Sequence, residues 1–183
     1  MKDQALVQVA LYAALVAALG LIPPVPFVTG IPITAQTLGV MLAGVMLGPW
    51  RGCLSMLLFV AVVALGAPLL SGGRGGLGVF VSPTAGFIIG FPAAALVSGV
   101  VARLLQRQSI LIAAGVGAFI GGILVLYVFG IVGFKWVTGN DWLRSVQVMA
   151  VYVPGDSLKV VLTALVAQAV YKGLPGAVAT RQA

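Results

Sequence analysis

Long apolar runs govern what this chain can fold into. They cover residues 5–22, 33–47, 52–69, 84–102, 110–133 and 154–171. A helix needs about 20 mostly apolar residues to cross roughly 30 Å of hydrocarbon, and most of these runs approach that length. Alternation of polar and apolar residues, the mark of a transmembrane barrel strand, is absent. Of the 183 residues, 61% are hydrophobic and only 7% charged. A soluble domain is typically about 25% charged, so this chain has too few polar groups to face water on all sides. The expectation is an all-α integral membrane protein. It has six transmembrane helices forming a single domain over residues 1–183, with the lipid bilayer as its solvent.

The first run begins just after Met1-Lys2-Asp3-Gln4. Its length fits a membrane anchor better than the short core of a secretion signal. The second run is short and follows Pro23-Pro24-Val25-Pro26 and Pro32. Proline lacks a backbone donor, so it belongs where a helix begins or where protein covers the chain. A tight Gly48-Pro49 turn separates the second and third runs.

Lysine and arginine in the short connections predict orientation. With the N-terminus inside, the inside cations are Lys2, Arg51, Arg103, Arg107, Lys172 and Arg181, and the outside ones are Arg74, Lys135 and Arg144. Both termini are therefore expected in the cytoplasm. Trp50, Trp136, Trp142 and Tyr171 fall near the predicted interfaces, where amphipathic rings prefer to lie. Two longer outer connections result, the glycine-rich 70–82 and 134–153. The second is predicted to hold a short amphipathic helix. The net charge of +7 is accounted for by this distribution. No basic patch is interleaved with aromatic residues, so nucleic acid is not an expected partner.

Several kinds of chemistry are excluded. There is no histidine, and Cys53 is the single cysteine. These counts remove disulfide frameworks, imidazole metal sites and His-dependent triads. No metal or cofactor is expected. The glycine-rich connection contains a formal G-x-G-x-x-G at Gly73, Gly75 and Gly78. Neither a preceding strand nor an acid about 20 residues on accompanies it, so a dinucleotide site is not predicted. The loop reads either as a connector or as a cover whose Arg74, Gly75 and Gly76 face a ligand carboxylate.

Ionisable residues within a span need an explanation, since each costs about 2.5–3.5 kcal/mol at the helix centre on insertion scales. Asp156 and Lys159 are spaced i,i+3 and share one helix face. With a helix starting at Pro154, Lys159 lies about 7 Å deeper than that start. The pair then sits in the outer half of the membrane. Ordinary helix-start chemistry accounts for Pro154 and Asp156, and Lys159 can snorkel or pair with its neighbour. The same groups suit a ligand carrying both N–H and C=O, such as a cyclic urea or an amide. Gln36 and Thr37 either bond to neighbouring helices or line the same outer cavity. Asn140, Gln147 and Tyr152 are further candidates. On the first helix, Ala10, Ala14 and Ala18 form an i,i+4 stripe, with Ala13 and Ala17 beside it. Such a stripe permits close approach, either within the protein or by a partner helix.

Taken together, the sequence resembles the biotin-specific substrate-binding subunits (BioY family) of energy-coupling-factor vitamin transporters. The resemblance rests on Pro32-Ile33-Thr34-Ala35-Gln36-Thr37-Leu38, Leu42-Ala43-Gly44 and Leu47-Gly48-Pro49 with Gly52. The glycine-rich loop, Ser82-Pro83-Thr84-Ala85-Gly86-Phe87 and Gly155-Asp156-Ser157-Leu158-Lys159 complete it. It implies a six-helix fold in the bacterial cytoplasmic membrane that captures biotin near the outer face. Asp156 and Lys159 match the family's D-x-x-K motif, expected on the ureido ring. Arg74 or loop amides are expected on the valerate carboxylate. The alanine stripe is associated with a transmembrane coupling subunit, which works with two cytoplasmic ATPases. Where the family usually reads Gly-Pro-Thr-Gly-Gly, this chain has Ser82-Pro83-Thr84-Ala85-Gly86, and the methyl of Ala85 is expected to alter local packing.

The competing reading is an autonomous proton-coupled secondary transporter of a small carboxylate or vitamin, with Asp156 as relay. The neighbouring ammonium favours the charged acid and argues against it. An intramembrane enzyme is disfavoured, because three acids and no histidine make a general acid–base pair hard to assemble. The sequence is compatible with action alone, as a homo-oligomer or only with coupling partners.

Overall fold

A computed structural model describes residues 2–24, 31 and 33–181. Val25, Pro26 and Pro32 of the proline-rich stretch lie outside the described residues. Eight α-helices occur among the described residues. In chain order they are α1 (Lys2–Gly20), α2 (Gln36–Leu47), α3 (Pro49–Ala64), α4 (Ala85–Leu104), α5 (Ile110–Phe119), α6 (Leu126–Thr138), α7 (Trp142–Ala150) and α8 (Val153–Gly173). A π-turn, Ile120–Val125, joins α5 to α6 in one continuous rod. No β-strand is present among the described residues.

Four segments are long and apolar enough to cross a bilayer: Asp3–Gly20, Ala85–Leu104, Ile110–Thr138 and Val153–Gly173. The other two predicted spans are shorter than expected. The run from 33 becomes helical only at Gln36, and the run from 52 starts earlier, at Pro49, and stops at Ala64. Twelve residues of α2 extend about 18 Å at the usual rise per residue.

Although α2 is the shortest predicted span, it is the most enclosed. All of its residues except Leu38 are buried. It lies against α1, α3, α4 and α8. Glycine permits this crowding. A Cβ on Gly44 would lie 2.8 Å from the Ser98 side chain and collide with the Ala95 carbonyl of α4. Without an apolar driving force between helices in lipid, such close backbone approach is a main source of packing energy. At the end of α2, Gly48 adopts φ 82° and Pro49 opens α3. That conformation is easy for glycine, and proline tolerates the first helical turn. Many large apolar side chains face outward, among them Leu6, Val7, Leu11, Leu57, Val128 and Leu162. An apolar exterior on this scale calls for hydrocarbon rather than water.

The run predicted to end at Gly133 continues to Thr138, where Gly139 at φ 70° caps it by donating to the Lys135 carbonyl. Gly133 is a packing contact instead of a terminus, because a Cβ there would lie 2.5 Å from Gly86 of α4. The short amphipathic helix expected in the second connection is α7. Asp141 caps it, its carboxylate accepting from Arg144 N at 2.7 Å, and Ser145, Val148 and Met149 form its buried face.

Contacts at the two ends of the bundle differ. At one end, Arg51 Nη1 donates to Gln8 Oε1 at 3.2 Å, and Arg181 Nη1 donates to the Gln106 and Gln108 carbonyls after α4. Thr180 Oγ1 reaches the Val45 carbonyl at 2.8 Å, tying the C-terminal turns to the end of α2. The opposite end, where α2, α4 and α8 begin, holds the cavity described next.

Candidate functional site

Asp156 lies in the first turn of α8, placed there by a helix that starts around Pro154. Its neighbour at i+3 turns onto it, with Lys159 Nζ 2.6 Å from Asp156 Oδ1. This part of the site follows from helix geometry alone. Two groups arrive from other helices. Thr37 of α2 accepts from Lys159 Nζ at 2.9 Å and donates to Asp156 Oδ1 at 3.3 Å. Tyr127 of α6 donates to Asp156 Oδ2 at 2.7 Å. The side chains of Lys159 and Asp156 are only 14% and 8% exposed. The ammonium therefore does not snorkel outward; it is held against the carboxylate and Thr37.

A buried ion pair of this kind is weak support for stability by itself, since removing two charges from water costs several kcal/mol per ion. Here hydroxyl donors from two further helices reduce that cost. The carboxylate has about four acceptor positions, and the Lys159, Thr37 and Tyr127 contacts occupy three of them. Among the described residues, one acceptor position and one ammonium proton are left without a partner.

These groups form part of the wall of a cavity of about 540 Å³, counted with its open mouth. Ile31, Ile33, Leu70, Phe87, Ile88, Phe91 and Tyr152 supply its apolar surface, and Thr34, Thr37, Gln36, Arg74, Thr84, Asp156 and Lys159 its polar one. Arg74 projects from the glycine-rich loop. Its Nε donates to the Ser71 carbonyl at 3.4 Å and its Nη1 to Thr84 Oγ1 at 3.2 Å. The Nη2 amine makes no hydrogen bond among the described residues, so the guanidinium keeps donors for an anion. An apolar body, a carboxylate–ammonium pair and a separate guanidinium suit a ligand with a ring amide or urea and a carboxylate.

Other predicted residues take different places. Gln36 borders the cavity, but its amide fastens the structure. Nε2 donates to the Val16 and Leu69 carbonyls, each at 3.1 Å, and Oε1 accepts from Ser71 N at 3.0 Å. It links α1, α2 and the start of the glycine loop. Tyr152 is in the wall, its hydroxyl donating to the Ile31 carbonyl at 2.5 Å. Gly75 and Gly76 are not among the lining residues. Gly75 packs against the Ala67 carbonyl, and Gly76 N donates to the Val63 carbonyl at 2.8 Å. They fold the loop, which reaches the cavity through Leu70 and Arg74. Asn140 bonds to Thr138, and Gln147 is exposed on α7. Ala85 is buried at the start of α4, next to the lining residue Thr84. Ala10, Ala14 and Ala18 all face outward, whereas Ala13 is buried and Ala17 half-buried.

Tyr127 is the functional candidate that the sequence reading passed over. A tyrosine within an apolar run needs a partner for its hydroxyl, and Asp156 was the single acid in any predicted span. That pairing was available as a signal.

The chain is similar to known proteins over most of its length. The model of the BioY family matches residues 1–176. A biotin transporter BioY of Rhodobacter capsulatus is 48% identical, the match covering 94% of this chain and 96% of that one. A probable biotin transporter BioY of Bacillus subtilis is 40% identical, covering 88% of this chain and 87% of its own. Among solved structures, the S-component for biotin from an ECF-type ABC transporter superposes with a TM-score of 0.88 at 27% identity. That match covers 93% of this chain and 92% of the other.

Proposed function

The chain belongs to the BioY family, and from that premise we propose that it is the biotin-binding membrane subunit of an energy-coupling-factor transporter, taking part in biotin uptake. It acts as a transporter subunit, not as an enzyme. The observation that carries this reading is the joint presence of the Asp156–Lys159 pair and Arg74 in one largely apolar cavity wall. Asp156 accepts a ureido N–H in its remaining acceptor position. Lys159 directs its third proton toward the ureido oxygen, the ring body lies against Phe87, Ile88 and Phe91, and Arg74 receives the valerate carboxylate. Charge-assisted bonds of this kind are worth about 1.5–3 kcal/mol each, enough with apolar burial for tight capture.

In the bilayer, the cavity end faces outward and both termini are cytoplasmic, in a multi-pass protein of the bacterial cytoplasmic membrane. The α2 and α3 helices complete a set of six membrane helices. This orientation is supported by Arg51, Arg103, Arg107, Lys172 and Arg181 lying toward the end away from the cavity, as the positive-inside preference requires. The outward face of Ala10, Ala14 and Ala18 on α1 docks against a transmembrane coupling subunit, which two cytoplasmic ATPases drive. Small residues facing lipid allow a partner helix to approach closely.

Equilibrium binding of biotin to the purified protein tests the reading, with thiamine and riboflavin as controls. Saturable binding of biotin alone is expected. Absence of biotin binding, or equal binding of the other vitamins, overturns it.

A further inference from the structure

We infer that Tyr127 is a positioning residue for ligand capture, aiming the Asp156 carboxylate from behind the cavity, and that the π-turn before it sets its direction. The inference rests on the proposed biotin site. Tyr127 is 8% exposed and is not among the cavity-lining residues, so it does not reach ligand directly. Its hydroxyl holds Asp156 Oδ2 at 2.7 Å, while Lys159 and Thr37 hold Oδ1. A carboxylate gripped at one oxygen can still rotate about its side-chain bonds. Gripped at both, it presents its remaining acceptor position in one direction. Preorganisation of this kind raises affinity by reducing the entropy lost on binding.

Two features keep the tyrosine in place. Phe87, a residue of the cavity wall, meets its ring edge-on, with centroids 6.3 Å apart and planes at 84°. The π-turn Ile120–Val125 immediately precedes α6. A π-turn carries one residue more than an α-helical turn and is common at functional sites. One residue of an α-helix corresponds to about 100° of rotation. In an uninterrupted helix, Tyr127 would therefore point well away from α8. The turn is accommodated by Gly122, which lies against Met41 of α2.

The experiment is biotin affinity of the purified full chain for Tyr127→Phe, which keeps the ring and removes only the hydroxyl. Ser55→Ala is the control for general loosening. It removes a buried bond from α3 to the Val9 carbonyl of α1, and Ser55 is not a cavity-lining residue. Tyr127→Phe is expected to weaken biotin about tenfold, a fraction of one charge-assisted bond. Biotinamide, altered only at the tail, should lose affinity by the same factor, because the defect is at the ring end. Ser55→Ala should leave both affinities within twofold of the native values while lowering the melting temperature. Unchanged affinity in Tyr127→Phe, or a loss equalled by Ser55→Ala, overturns the inference. Failure of the native chain to bind biotin instead overturns the proposed function, which separates the two outcomes.

Discussion

Replacing Lys159 by Met tests whether the ion pair is a ligand site or only the start of a helix. The substitution keeps most of the side-chain volume and deletes the ammonium. Asp156 then loses its 2.6 Å partner and retains a long 3.3 Å bond from Thr37 and a 2.7 Å bond from Tyr127. Breaking a buried pair by removing one member costs about 3–5 kcal/mol. With two hydroxyl donors left, the lower end applies, about 3 kcal/mol in the unliganded protein. On the proposed site biotin loses the contact to its ureido oxygen, so affinity should fall at least ~10-fold at 1.4 kcal/mol per tenfold. The double variant Asp156→Asn with Lys159→Met separates the two effects. An asparagine amide can accept from Tyr127 and donate to Thr37, which leaves no buried charge. Stability should return to within about 1 kcal/mol of the native protein, since replacing a buried pair with neutral groups is often neutral or favourable. Binding should not return. Unfolding in mixed micelles gives the first quantity and titration calorimetry the second. If the single variant is as stable as the native chain and binds biotin as tightly, the pair is ordinary helix-start chemistry and the site assignment is wrong.

Three further outcomes follow from the same geometry. Arg74→Ala should weaken biotin about tenfold while leaving biotinamide nearly unaffected, because only the charged tail uses the guanidinium; the ratio of the two affinities measures this. Gln36→Leu removes three bonds, two of them fully buried, to the Val16, Leu69 and Ser71 backbone. At about 1–3 kcal/mol per unsatisfied group, the melting temperature should drop sharply while biotin affinity of the folded fraction changes less than threefold. Ala14→Leu adds bulk to the outward face of α1, so biotin binding should be unchanged while co-purification with the coupling subunit and cellular biotin uptake are lost.

The outlines of the long helices were readable because they follow from local composition. Where the bounds differed, a specific interaction was responsible. The run to Gly133 extends to Thr138, where Gly139 supplies the left-handed cap. The spacing of Gly75 and Gly76 suits either a connector or an anion-facing cover, and the loop folds back on the end of α3 and engages them there. Gln36 fits its sequence description as a polar residue at a span start. Which acceptors would claim its amide depended on the Val16 and Leu69 carbonyls meeting at one point.

By itself, the sequence determined the helical, apolar character of the chain, the break at Gly48-Pro49 and the meeting of Asp156 with Lys159. Each is set within one or two helical turns, where covalent geometry dictates who is a neighbour. Only the tertiary structure decided that the twelve-residue α2 is the enclosed centre. It also brought Thr37 and Tyr127, 119 and 29 positions away from Asp156, onto that carboxylate. Those contacts depend on how closely backbones cross at glycines such as Gly44 and on the extra residue of the π-turn, which act between helices and leave little trace in local patterning. The apolar runs thus define the long helices, and their crossings place one ion pair in the wall of a cavity.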